Sequence, residues 1–200
     1  MFNGNQDSLP PPFSFNWRRV VKDNVWFTYK ARIKAHGRLE WMDLHSQLLL
    51  VWYAILSAVL AILTIRYPAI LGADTDILSA VLSVGLLAIS LSVTNRDFRG
   101  RAMLMRSNYL HLQQLYNSMS GPAISPGDLA EYSRLLRDCE NHTSVDDIIA
   151  RLSATNLTSR KPQLKEAALG YGALFLRYLV TAALYVAPIW IGLSFPGVSK

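Results

Sequence analysis

The stretch that decides the fold is Leu44–Ile65, LHSQLLLVWYAILSAVLAILTI, in which no Asp, Glu, Lys or Arg occurs. At about 20 residues per crossing, this run is long enough to span the hydrocarbon core of a bilayer as a helix. A second apolar run, Ile77–Val93, ILSAVLSVGLLAISLSV, lies at the short end of the spanning range. Pro68 and Gly72 lie between the two runs and favour a tight turn. The pattern therefore predicts a hairpin of two transmembrane helices.

The composition is that of a membrane protein. Hydrophobic residues make up 51% of the 200-residue chain and charged residues only 17%, against about 25% in soluble domains. The mean hydropathy is positive, at +0.19. The one cysteine, Cys139, excludes an intramolecular disulfide and a multi-cysteine metal site. Residues 1–16 are polar, with three consecutive prolines and no signal peptide, so we expect a disordered lead before an uncleaved anchor.

The distribution of basic residues predicts an orientation. Seven Lys and Arg against four acids precede the first run, and ten against eight lie in residues 94–172. The turn between the runs holds Arg66 with two acids. This is the positive-inside pattern, so we expect the N-terminus and residues 94–172 on the cytoplasmic side. No basic-aromatic recognition motif accompanies the charge, so we expect no direct nucleic-acid binding.

Helical segments flank the hairpin on both sides. The segment Trp17–Asp43 has the pattern of a basic amphipathic helix, either a solvated stalk or an interfacial segment drawn to anionic lipid. After Val93 we expect the helix to continue without a break, because apolar residues alternate at spacings of four and three. This heptad seam, a candidate oligomer interface, consists of Phe98, Ala102, Met105, Tyr109, Leu112, Tyr116 and Met119.

Two shorter helices are predicted after the seam. Ser125-Pro126-Gly127-Asp128 has the pattern of a helix start, with Ser125 at the N-cap, proline in the first turn and an acid three residues on. Ser144 is expected to cap a second short helix that ends at Leu152. A polar, basic linker follows.

A third apolar run, Ala173–Leu193, again has spanning length. It contains Arg177, which can extend its charge to the interface, and Pro188, which membrane helices tolerate. We expect a third transmembrane helix; the alternative is a helix that lies on the membrane or packs against the hairpin. The predicted fold is thus an all-α membrane protein with long cytoplasmic helical extensions. Its parts are the lead (1–16), the flanked hairpin (17–119), a cytoplasmic helical segment (120–165), and the third span with its tail (166–200).

No catalytic constellation is visible. The sequence has no Gly-rich phosphate loop, nucleophile elbow, HExxH motif or paired-cysteine signature. The four histidines fall in different predicted elements. We therefore expect no enzyme activity, no cofactor and no metal site.

Small polar side chains recur inside the two spans of the hairpin. At about 100° per residue, those of the second span fall within roughly 60° of arc. They either pack the helices closely through interhelical hydrogen bonds or line an oligomeric pore, since one chain with two or three spans cannot enclose a channel. These candidate packing or pore-lining residues are Ser79, Ser83, Ser90 and Thr94 on the second span and Ser57 and Thr64 on the first.

A polar cluster, Glu140-Asn141-His142, lies where the two shorter helices meet. Most such clusters cap helix ends and satisfy backbone groups that have no partner within the helix. The functional alternatives are a latch or ligand contact in the cytoplasmic part, or a lipid-directed enzyme.

Short motifs on either side of the hairpin resemble the SLATT family, the SMODS and SLOG-associating two-transmembrane effectors of bacteria. Tyr29-Lys-Ala-Arg-Ile33 precedes the hairpin, and Tyr132-Ser-Arg-Leu-Leu136 and Glu140-Asn-His142 follow it. The resemblance covers about residues 20–155 and is nearest to the subgroup linked to reverse-transcriptase or nucleotide-signalling defence cassettes. In that subgroup an aromatic residue often occupies the position of Ile148. The matching motif residues are Tyr132, Glu140, Asn141, His142 and Asp146.

This resemblance implies an oligomeric effector of antiphage defence that permeabilises the bacterial inner membrane and causes growth arrest or cell death. It also implies a separate sensor or signal-generating protein as partner, in addition to membrane lipid and further copies of the chain. The alternative is a non-conducting membrane scaffold that docks a soluble signalling or defence partner through residues 125–155.

Overall fold

The computed structural model describes residues 17–68, 72, 75–119, 124–155, 157 and 159–194. The predicted disordered lead lies outside these residues. Within them the regular elements are all helices, which confirms the all-α class. The helices are α1 (Trp17–Arg66), α2 (Thr75–Asn95), α3 (Phe98–Ser118), α4 (Pro126–Arg137), α5 (Ser144–Leu152) and α6 (Leu164–Ser194). Three helical stretches, in α1, in α2–α3 and in α6, are long and apolar enough to cross a membrane.

Helix α1 joins the predicted stalk and the first span into one element of 50 residues, about 75 Å long at 1.5 Å per residue. In its first half, side chains such as Val25, Ala31 and Leu39 are fully buried. From Leu44 to Arg66 no side chain is buried. The same helix therefore provides the core of a bundle at one end and an apolar membrane segment at the other.

The described residues at the hairpin turn fit a short connection between the two spans. Helix α1 ends at Arg66, before Pro68, and α2 begins at Thr75. Gly72 has a φ of 113°, a left-handed conformation that side chains with a Cβ rarely adopt. Its carbonyl accepts a hydrogen bond from the Thr75 hydroxyl at 2.6 Å. A glycine is thus needed at this point in the turn.

The predicted continuity between the second span and the seam is wrong. Helix α2 ends at Asn95, and Asp97 adopts a left-handed conformation, with φ 41° and ψ 53°. Its carboxylate accepts a hydrogen bond from the Gly100 N–H at 3.0 Å and so caps α3. A Cβ at Gly100 would collide with that carboxylate. Aspartate tolerates this backbone and is a favoured N-cap, which explains a break that apolar periodicity does not reveal.

The heptad seam packs against α1 of the same chain. Phe98, Ala102 and Met105 contact the buried face at Ala35 and Leu39. Further along, Leu112 and Met119 lie in a second cluster with Val25 and Tyr29. The two seam tyrosines, Tyr109 and Tyr116, are half-buried at the edge of this interface. The seam thus has an intramolecular partner in this structure, and an oligomer would have to use other surfaces.

The starts of the two short helices follow from reciprocal caps. Ser125 and Asp128 cap α4 as predicted, each side chain accepting a hydrogen bond from the other's backbone N–H. For α5 the cap is one residue earlier than predicted, because Thr143 rather than Ser144 forms the capping box with Asp146. Helix α5 ends at Leu152, as predicted.

Helix α1 is the common partner of the other elements. Its first half packs against α3 and α5, and its second half contacts α2 and α6. Along the chain, α1 leaves the bundle, α2 returns to it and α6 leaves it again. The bundle formed by the first half of α1 with α3, α4 and α5 therefore lies at one end of the three apolar segments.

Leu112→Ala should lower the free energy of unfolding by about 2 to 5 kcal/mol, because it opens a cavity between α1 and α3. Leu110→Ala is the matched control: Leu110 is on the same helix but 44% exposed, so its loss should cost within about 0.5 kcal/mol. Thermal melts of detergent-solubilised protein would measure both. A change in oligomeric state for Leu112→Ala without a loss of thermal stability would contradict the intramolecular seam.

Candidate functional site

A fully buried arginine lies at the centre of the bundle. Arg32 of α1 donates hydrogen bonds to the side-chain oxygen of Asn108 on α3 and to the carbonyl of Leu135 on α4 at 2.9 Å. The Asn108 amide also donates to the Leu135 carbonyl, at 2.8 Å. No described carboxylate forms an ion pair with Arg32. The acceptors at the end of α4 carry the partial negative charge of a helix C-terminus. Arg32 of α1 thus fastens α4 to α1 and to α3.

Burial lowers the pKa of Arg32 from its ordinary value, since the charged form loses its hydration. The nearby polar groups at Cys139, Tyr132 and Asp138 act in the opposite direction. The Nε of Arg32 is buried and has no hydrogen-bond partner in the described part of the chain. The interaction is therefore sensitive to any change that removes one of its remaining acceptors.

Three of the motif residues, Tyr132, Glu140 and Asp146, attach the segment that contains α4 and α5 to the helices α1 and α3. The Tyr132 hydroxyl lies 3.0 Å from the Thr28 hydroxyl of α1. Glu140 forms a two-pronged ion pair with Arg101 of α3, with a shortest distance of 2.8 Å. Glu140 thus ties the connection between α4 and α5 to α3, whereas the capping predicted for its cluster is performed by Thr143.

Asp146 makes the most buried of these contacts. Its carboxylate is 2% exposed and accepts bonds from Arg38 of α1 at 3.0 and 3.1 Å. The same carboxylate accepts from the backbone N–H and the hydroxyl of Thr143. One side chain therefore both caps α5 and attaches it to α1. Asn141 is exposed at the surface.

Helix α5 is also attached to α6. Arg151 donates to Asp147 at 2.9 Å and to Glu166 of α6 at 2.7 Å. Gly170 of α6 packs so closely on α5 that an added Cβ would lie 2.9 Å from the Ile148 side chain. The contacts Asp146–Arg38 and Arg151–Glu166 thus connect α1 to α6 through α5.

Sequence reasoning identified one side of these pairs and missed the other. Arg38, Arg101 and Asn108 were not singled out, although each lies on a helix with a regular apolar face. The signal that the sequence offers for such a contact is an Asn or Arg at a position of the apolar face, because a polar side chain buried there requires a polar partner. The sequence does not indicate which partner, since Arg32 and Asn108 are 76 residues apart.

Within the hairpin, the hydroxyls of Ser57 and Ser83 lie 3.4 Å apart, across the contact between α1 and α2. Ser83 also bonds the Ser79 carbonyl at 2.9 Å, and Thr94 bonds the Ser90 carbonyl at 2.9 Å. Thr64 bonds the carbonyl of Ala61 in its own helix. In the single chain, Ser57 and Ser83 therefore belong to a helix-packing contact, and the other hydroxyls for which bonds are described satisfy backbone carbonyls.

His142 and Cys139 lie beside the Arg32 network. Burial lowers the pKa of His142 and raises the pKa of the Cys139 thiol, because each loses hydration of its charged form. The Nδ1 of His142 is buried without a hydrogen-bond partner among the described residues. In the part of the chain that the structure describes, no three His, Cys, Asp or Glu side chains are grouped to hold a metal ion.

These contacts extend over most of the chain, and so does the family match. The model of the SMODS and SLOG-associating 2TM effector domain family 5 matches residues 15–194. The chain belongs to this SLATT family. The match includes α6, so the third apolar helix is part of the family's domain in this chain. No curated protein and no solved structure matches the chain.

Asp146→Asn should lower the free energy of unfolding by about 1 to 3 kcal/mol, because it leaves Arg38 without its anionic partner. Glu131→Gln is the control: Glu131 pairs with Arg134 at the surface, where loss of an exposed ion pair has little effect on stability. Thermal melts and proteolysis of the segment around α5 would report the difference. Equal effects of the two substitutions would contradict the role assigned to Asp146.

His142 should make the protein less stable as the pH falls below 7. Its folded-state pKa is below the ordinary 6.5, so the unfolded chain takes up a proton first. The contribution of neutral His142 is present above pH 6.5 and is lost as the pH falls through that value toward the folded-state pKa. His142→Gln should flatten this part of the melting-temperature profile, whereas His111→Gln, at an exposed position, should not. A wild-type slope in His142→Gln would refute the assignment.

Proposed function

We propose that this protein is an oligomeric membrane effector of bacterial antiphage defence, which permeabilises the inner membrane and causes growth arrest or cell death. Membership of an effector family and three helices of spanning length support a membrane effector. The observation that carries the proposal is the continuity of α1. This one helix is held in the bundle by Arg32 and Arg38 and forms the first membrane segment.

The continuity gives a route from a soluble signal to the membrane. The segment that carries Tyr132, Glu140 and Asp146 contacts α1 and α3 through polar pairs. Displacement of this segment by a separate sensor or signal-generating protein would break those pairs. The change would then pass along α1 to the hairpin and, through Arg151 and Glu166, to α6.

The hairpin described here corresponds to a resting arrangement. The hydroxyls of Ser57 and Ser83 face each other between α1 and α2. For a pore, the α1–α2 contact would open in the oligomer so that these hydroxyls face water. We place the bundle in the cytoplasm of a multi-pass inner-membrane protein, in accordance with the basic flanks of the hairpin.

A second candidate function is a non-conducting scaffold for a soluble partner. Met103 and Leu110 are 64% and 44% exposed on α3, one heptad apart and outside the apolar membrane segments. They face away from α1, because the opposite side of α3 is buried at Met105 and Leu112. These two apolar side chains on the outer side of α3 would serve as contacts for a helix of the partner. This scaffold would bind its partner without any ion leak.

Replacing Ser83 with leucine tests the permeabilising function against the scaffold function. Induced expression of the wild-type chain with its neighbouring genes should collapse the membrane potential on activation, read with a potential-sensitive dye. Ser83→Leu should suppress the collapse, because it removes a hydroxyl and fills the α1–α2 contact. Val84→Leu is the control, since Val84 is the next residue of α2 and is 68% exposed.

Membrane levels of each variant, measured by immunoblotting, would exclude loss of expression. Growth arrest with an intact membrane potential in cells that carry the wild-type chain would contradict the permeabilising function and favour the scaffold.

A further inference from the structure

An arginine without an anionic partner lies where the bundle meets the membrane segments. The guanidinium carbon of Arg177 on α6 is 4.6 Å from the ring centre of Trp41 on α1 and 5.2 Å from that of Tyr178. Trp41 comes three residues before the apolar run that begins at Leu44. Tryptophan and tyrosine concentrate at the level of lipid headgroups. The arginine is therefore held at the depth where a bilayer presents its phosphates.

The hydrogen-bonding capacity of Arg177 is unused in the described part of the chain. No described carboxylate pairs with it, and its buried Nε has no hydrogen-bond partner. The nearest acids along α1 are engaged elsewhere: Glu40 pairs with His36, and Asp43 accepts a bond from Gln47. The two cation–π contacts hold the guanidinium in place but satisfy none of its N–H donors.

The aromatic side chains of the site, Trp41 and Tyr178, are themselves held in place by contacts with other residues. The rings of His45 and Trp41 are in tilted contact with their centres 4.4 Å apart, and the Nδ1 of His45 lies 3.5 Å from the Tyr185 hydroxyl. The rings of Trp41 and Tyr178 meet edge to face at 5.9 Å. Residues of α1 and α6 thus build the site together. A bound ligand would stabilise the attachment of the third apolar helix to the first.

We propose that Arg177, held by Trp41 and Tyr178, binds the phosphate of an anionic phospholipid headgroup. A planar guanidinium can donate two parallel hydrogen bonds to two phosphate oxygens. The apolar side chains of Val180 and Leu184 are 49% and 42% exposed and lie three and seven residues after Arg177, on the same side of α6. They provide a surface for acyl chains, which a soluble phosphate does not possess, and this favours the lipid as the source of the anion.

The test uses the purified full-length chain in neutral detergent, titrated with phosphatidylglycerol or phosphatidylcholine. Native mass spectrometry would count bound lipids, and thermal melts would measure stabilisation. Phosphatidylglycerol should bind more tightly than phosphatidylcholine. Arg177→Gln should weaken phosphatidylglycerol binding by about tenfold or more, as expected for loss of a charge-assisted hydrogen bond. Arg177→Lys keeps the charge without the planar fork and should give an intermediate loss.

Arg96→Gln is the control for charge alone, because Arg96 is exposed at the end of α2 and should bind phosphatidylglycerol like wild type. Melting of each variant in phosphatidylcholine shows that it is folded, and Arg177→Lys supplies the comparison if Arg177→Gln is not. Equal binding of the two lipids by wild type, or wild-type binding by both Arg177 variants, would overturn the proposal. Competition by millimolar inorganic phosphate would overturn the lipid assignment in favour of a soluble anion.

Discussion

The burial of one positive charge constrains most of the bundle. Removing an ion from water costs several kcal/mol, and no described carboxylate forms an ion pair with Arg32. Its acceptors come from two other helices: the Asn108 side chain and the carbonyls of Leu135 and Leu136. Helix α4 must therefore end where it does, and α3 must present Asn108 in register with Arg32. Apolar packing alone would tolerate other registers between α1 and α3.

The membrane segments were predictable from sequence because each is encoded by a local, continuous run of apolar residues. The cap at Ser125 was predictable for a similar reason, since both its partners lie within four residues. The partner of the seam was not, because periodicity defines which face of α3 is buried without indicating what covers it. The left-handed residue Asp97 was missed as well, since a single backbone angle leaves no trace in apolar spacing.

The motif residues of the candidate site show again that the sequence does not reveal partners that are distant in the chain. Tyr132, Glu140 and Asp146 were recognised by resemblance, but their roles depend on Thr28, Arg101 and Arg38, which lie far away in the chain. Once these pairs are known, the three motif residues can be described as attachments between structural elements. Such attachment suits a domain whose proposed activity depends on a rearrangement of its helices.

The break at Asp97 gives the two helices of the hairpin different mechanical properties. Helix α1 passes from the bundle into the apolar segment without interruption, so a rotation of its first half is transmitted to its membrane half. Helices α2 and α3 are joined through two non-helical residues, Arg96 and Asp97. Rotation of α2 about its own axis need not turn α3. Twisting α1 against α2 would thus move Ser57 past Ser83, and α3 would be free to turn together with α1, against which it is packed.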